Sequence, residues 1–261
     1  MGSVITTGLS GLQAWKTLQR IEARQVDALR KDSMVTRATD YLRKNIDKVG
    51  TAEALVGDYR MLDAVLSAFG LEADIANKAF IRQVLESNPE DDKSLVNRLS
   101  DKRYLRMAET LGIGSAADQS VDLGGRLEEA FIQREFERRV GAGDETLRLA
   151  LNARRELAAI PSPPKGSLKT QWYEVMGNPP LRKVFEVAFG FAESFGKLPV
   201  ERQNTEFIRL AERMFGNAAL DQIGKPEMID RLITQFLARS QLTETTGQNR
   251  YSAALALLTA Q

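Results

Sequence analysis

Apolar residues return at steps of three and four along almost the whole chain, and no stretch sustains an alternation of period two. That spacing lays a stripe along one face of a helix and does not suit a half-buried strand, so the chain is expected to be all-α and multi-helical. In "TAEALVGDYRMLDAVLSAFG", Leu55, Tyr59, Leu62, Leu66 and Phe69 fall on one such stripe, with Thr51 as cap and Glu53 suited to the positive helix start. The same argument places helices near 9–30, 34–47, 74–87, 101–111, 124–140, 144–160, 168–176, 179–189, 199–215 and 226–240, with a short turn at 95–99 and a separate tail helix at 249–259.

Proline and glycine supply the punctuation. Proline fits the first helical turn and glycine the left-handed position just past the last, so Pro179, Pro199 and Pro226 are expected to open helices and Gly70, Gly112, Gly190 and Gly216 to close them. Ala-Phe-Gly-hydrophobe is written twice, in "LSAFGLEAD" (Leu66 to Asp74) and "EVAFGFAES" (Glu186 to Ser194). A glycine followed by a hydrophobe is the sequence form of a Schellman stop, in which the hydrophobe folds back on the final turn; Gly112-Ile113 has that form too. "YLRMAETLG" (Tyr104 to Gly112) also resembles "FIRLAERMFG" (Phe207 to Gly216), and both follow an Ala-Phe-Gly helix. Two degenerate helical units are therefore expected, packed into one body or two touching lobes. The seam is placed at "IPSPPKGS" (Ile160 to Ser167), which gives units 1–160 and 161–261.

With 261 residues, 43% of them hydrophobic, the chain can fill a sizeable core. Thirty-six Lys and Arg balance 35 Asp and Glu, so no overall charge marks it for nucleic acid or an anionic membrane. It has neither cysteine nor histidine, which removes disulfides, thiolate nucleophiles, the commonest metal ligand and the commonest general base. No catalytic residue, cofactor site or metal site is assigned. The start lacks a basic region followed by a long apolar run, and no apolar stretch approaches the roughly 20 residues that span a bilayer, so neither a cleaved signal nor membrane insertion is expected.

Local candidates mostly reduce to structure. "PEDDK" (Pro89 to Lys93) lacks the spacing of a calcium loop and reads as a solvated helix start. In "REFERRVGAGDETLR" (Arg134 to Arg148) the arginines suit a phosphate, but Asp144 and Glu145 repel one, so Asp144 reads as a cap at a helix corner. Arg154 and Arg155 are explained by surface pairing, and Trp172 shares a core face with Leu168, Val175 and Met176. The face carrying Leu12, Trp15, Leu18 and Ile21 has two readings: it packs on the body, or it is a helix that recognises a partner. The small residues Gly8, Ser10, Gly11 and Ala14 beside it, which permit close helix approach, tilt the expectation toward recognition.

The segments "GLQAWKTLQR", "YLRKNIDKVGTAEALVGDYRMLDAVLSAFGLEADIANKAFIRQVLES", "SLVNRLSDKRYLRMAETLG", "LRLALNARRELAAI" and "LRKVFEVAFGF" together resemble a bacterial family, domain of unknown function number 1217, whose members occur in flagellar gene clusters of alphaproteobacteria. The resemblance implies an all-helical, flagellum-associated protein with flagellar proteins as partners, and it carries no catalytic residue. Two function classes follow: a non-enzymatic structural or assembly protein working through helix contacts, or a cytoplasmic regulator or export chaperone that holds a partner helix.

Overall fold

In a computed structural model, residues 3–113, 122–162, 164 and 166–259 are described, with backbone only for 193 and 244–259. Every regular element among them is helical. The order is α1 (Gly11–Arg30), α2 (Ser33–Asn45), α3 (Ala52–Gly57), α4 (Tyr59–Phe69), α5 (Lys78–Glu86), α6 (Leu95–Arg98), α7 (Arg103–Leu111), α8 (Leu123–Gly141), α9 (Glu145–Ala158), α10 (Leu168–Met176), α11 (Pro179–Phe189), α12 (Val200–Phe215), α13 (Leu220–Ile223) and α14 (Pro226–Thr259), with short 3-10 turns after α2, α4 and α11.

Caps explain where several helices begin. Asp32, Thr51, Asp58, Asp144, Ser167 and Asn178 each accept a backbone N–H of the first turn of α2, α3, α4, α9, α10 and α11. Each such bond satisfies a donor that the helix itself leaves unpaired. Asp58 also explains one departure from the expected pattern. Residues 51–70 form two helices, because Gly57 ends α3 and Asp58, in extended conformation, starts a new cap. The break swings Tyr59 out of the stripe, and it is 61% exposed. Pro199 is likewise a cap residue, while Pro179 and Pro226 occupy first helical positions. The tail is no separate helix, since α14 runs unbroken to Thr259. One glycine inside it, Gly247, costs about 1 kcal/mol of helix propensity and does not stop the run.

The chain divides into two compact units, one of residues 1–4 and 21–139, the other of residues 5–20 and 140–261. The expected boundary at residue 160 is displaced because α9 packs on α11 and α14, so it belongs with the second unit. In the first unit, α2 packs on α4, α3 packs on both α4 and α5, and α7 packs on α4 and α5. Leu42, Leu55, Leu62, Leu66, Ile81 and Met107 are buried there in one cluster. In the second unit α9, α11 and α14 pack on one another, while α10 packs on α11 and α12. Its core is aromatic: Trp172 lies between Phe185, at 5.1 Å, and Phe207, at 5.8 Å, and donates its indole N–H to the Ala218 carbonyl at 2.9 Å. Phe189 touches both Phe185 and Phe207, and Phe195 stacks on Phe191 at 3.6 Å.

Candidate functional site

The two Ala-Phe-Gly stops are built alike. Gly70 and Gly190 follow α4 and α11 with φ of 70° and 74°, a left-handed conformation that glycine adopts without a Cβ penalty. In each, the glycine N–H bonds three residues back, to Ser67 O and Val187 O. The next N–H bonds five back, from Leu71 to Leu66 O and from Phe191 to Glu186 O, which is the full Schellman pair. Gly112 and Gly216 also end their helices at positive φ and donate to Ala108 O and Glu212 O, the single-bond form of the same stop.

An arginine lies over each Ala-Phe-Gly stop. Arg134 of α8 donates to Phe69 O at 3.0 Å, and a Cβ added to Gly70 would sit 2.9 Å from its guanidinium carbon. A Cβ added to Gly190 would likewise sit 2.8 Å from the guanidinium carbon of Arg239 of α14. A cation at a helix C-terminus meets the negative end of the dipole, and the missing Cβ lets it approach. These arginines belong to a third repeated stretch that the sequence reasoning missed. "GRLEEAFIQRE" (Gly125 to Glu135) and "DRLITQFLARS" (Asp230 to Ser240) place Arg126, Leu127, Phe131 and Arg134 at the same intervals as Arg231, Leu232, Phe236 and Arg239. The signal was present, but α8 and α14 stand at different distances from their stops, because the first unit inserts α5 and α6.

The N-terminal face is not open to a partner. Trp15 is 4% exposed with Arg154 of α9 lying over its ring at 5.3 Å, Leu18 is fully buried, and Leu12 and Ile21 are half-buried. Burial of an indole and a leucine contributes roughly 1.5–3 kcal/mol each, which holds this face inside the chain's own fold. Two of the four small residues serve that packing, whereas Gly8 and Ser10 are exposed. Ala14 is fully buried, and the side chain of Gln241 lies where a Cβ on Gly11 would go. Arg154 is thus a partner of Trp15, while Arg155 pairs with the buried Glu156 at 2.5 Å.

Two ionic arrangements stand out. In the first unit Arg139, only 4% exposed in its side chain, donates to Asp32 at 3.0 Å, to Glu135 at 2.7 Å and to Ser3 at 3.4 Å. The Arg139 hydrogen bond holds the Asp32 carboxyl below its ordinary range, with the Met34 and Val35 N–H groups adding to it. Burial pushes Glu135 up, but bonds from Arg138 and Arg139 outweigh it and leave that carboxyl low as well. In the second unit a cavity of about 340 Å³ opens at the start of α9, beside Asp144, Ser240 and Ser10. Asp144 caps α9 as the sequence indicated, and among the described residues no group of three His, Cys, Asp or Glu could hold a metal ion. No helix among the described residues is long and apolar enough to cross a membrane.

The profile of a family described as "Protein of unknown function (DUF1217)" matches residues 68–211, more than half of the chain. The chain belongs to this family. The matched DUF1217 region runs from the first Ala-Phe-Gly stop into α12 and so contains both stops. A crystal structure of protein AGR_C_984 from Agrobacterium tumefaciens is similar at a TM-score of 0.73 and 22% identity, over 93% of this chain and 98% of that one. At that identity the likeness is one of fold. No curated protein matches the chain.

Proposed function

We propose that this DUF1217 protein is a non-enzymatic, flagellum-associated structural or assembly protein that resides in the cytoplasm before engaging flagellar partners through helix contacts. The setting rests on the resemblance of its helices to flagellar-cluster proteins. The contact element rests on one observation. α14 spans 34 residues, its last buried side chain among those described is Leu237, and Leu242 is 67% exposed. The backbone helix continues to Thr259, about 33 Å further at 1.5 Å per residue. With Trp15 and Leu18 buried, α14 replaces α1 as the partner-facing helix.

The test uses cells making the tagged full chain or a chain ending at Thr243, with basal bodies purified from each. The full chain should co-purify and support swimming, whereas the shortened chain should do neither. A deletion strain that swims normally, together with basal bodies free of the protein, would contradict the proposal.

A further inference from the structure

The Arg139 clasp and the α9 cavity occupy corresponding places in the two units. α2 packs on the first Ala-Phe-Gly helix and α9 on the second, and each begins with an aspartate cap in extended conformation, Asp32 or Asp144. α8 and α14 each send an arginine to their stop, and α8 is tied to α2 through Arg43–Glu128 as α14 packs on α9. In the register set by Arg134 and Arg239, Glu135 corresponds to Ser240 and Arg139 to Glu244. In the first unit Asp32 uses Oδ1 for the helix N–H groups and Oδ2 for Arg139, while Ser3 and Glu135 complete the cradle. In the second unit Asp144 also uses Oδ1 for the helix, at the Leu147 N–H 3.0 Å away, and Ser10 and Ser240 line the cavity beside it. The chain's own α14 carries no arginine at the corresponding position.

We propose that this cavity is an arginine socket whose own arginine has been lost, and that it takes a guanidinium group from outside the chain. Asp144 is the carboxylate that receives it, since Glu145 is already paired with Arg148. The hydroxyls of Ser10, Thr146 and Ser240 supply neutral acceptors for the remaining N–H groups of a planar five-donor cation. The inference stands independently of the flagellar reading, because it follows from the correspondence between the units.

Calorimetric titration of the full chain tests it, with free L-arginine, Nα-acetyl-L-argininamide and the uncharged isostere Nα-acetyl-L-citrullinamide as probes. At least one arginine compound should bind at least tenfold more tightly than the citrulline compound. Equal binding of free and blocked arginine identifies a side chain presented by another protein; preference for the free amino acid identifies a small molecule. Asp144→Asn keeps a capping side chain, so it should retain the melting temperature and lose at least tenfold in affinity. No binding of either arginine compound, equal binding of the citrulline compound, or unchanged affinity in Asp144→Asn overturns the proposal.

Discussion

The two units share a frame and fill it differently. The first encloses its buried charges, with Arg139 held by Asp32, Glu135 and Ser3 and Arg134 bonded to the end of α4. It also inserts α5, which packs between α3 and α7. The second has no such helix between α11 and α12 and closes with the rings of Trp172, Phe185, Phe189, Phe191, Phe195 and Phe207. Its polar interior is less complete. Asn152 Oδ1, Gln171 Oε1, Asn204 Oδ1 and Arg239 Nε are buried without a hydrogen-bond partner among the described residues, and all four lie in the second unit. A buried polar atom left unpaired costs roughly 1–3 kcal/mol. The comparison teaches that helix stops and caps carry the repeated architecture, while what fills the space between helices is free to diverge.

The largest expected effect is in the aromatic core. Trp172→Ala should destabilise by about 3–5 kcal/mol in chemical unfolding, because it leaves a cavity among phenylalanines and an unpaired Ala218 carbonyl. Trp15→Ala should cost a similar amount, since Trp15 is buried; a near-neutral result would restore the recognition reading of α1. Next come the stops. Gly70→Val and Gly190→Val should each destabilise by roughly 1–3 kcal/mol, from forcing a β-branched residue to positive φ. A unit that tolerates its substitution while the other does not would break the equivalence.

Acid separates the units in another way. Asp32 and Glu135 have folded pKa values below their unfolded ones, so their contribution is present above the ordinary carboxylate range and is lost as pH falls through the lowered values. Stability should therefore decline below about pH 4, and Asp32→Asn, which still caps α2, should flatten part of that decline in a pH series of melting temperatures. An identical slope in the variant would remove the clasp from the account. The smallest effect is expected on the surface. Arg30→Ala, which removes the exposed pair with Glu129, should change stability by no more than about 1 kcal/mol.

Local chemistry made much of this fold readable. The bounds of α10 and α11 fall where apolar stripes of period 3.6 place them, and α7 and α11 end at their glycine stops. Two local signals were outweighed by neighbours: Asp58 served as a cap and split the stripe containing Tyr59, and the polar stretch after Ser240 continued as helix. Whether Trp15 faced inward could not be read from α1, because the decision lies with Arg154 and the rest of the second unit, far along the chain. The same holds for the two arginines over the stops. Their intervals repeat in the sequence, but only packing shows that a guanidinium occupies the place of the missing Cβ.

That shared device is the central claim, and paired double-mutant cycles measure it most directly. Gly70→Ala with Arg134→Ala, and Gly190→Ala with Arg239→Ala, are compared by urea unfolding with their single variants. A Cβ displaces the guanidinium, so the double variants should be less destabilised than the sum of the singles. A coupling of at least about 0.5 kcal/mol, of the same sign at both stops, is predicted. Additivity at either stop would contradict a common construction for the two units.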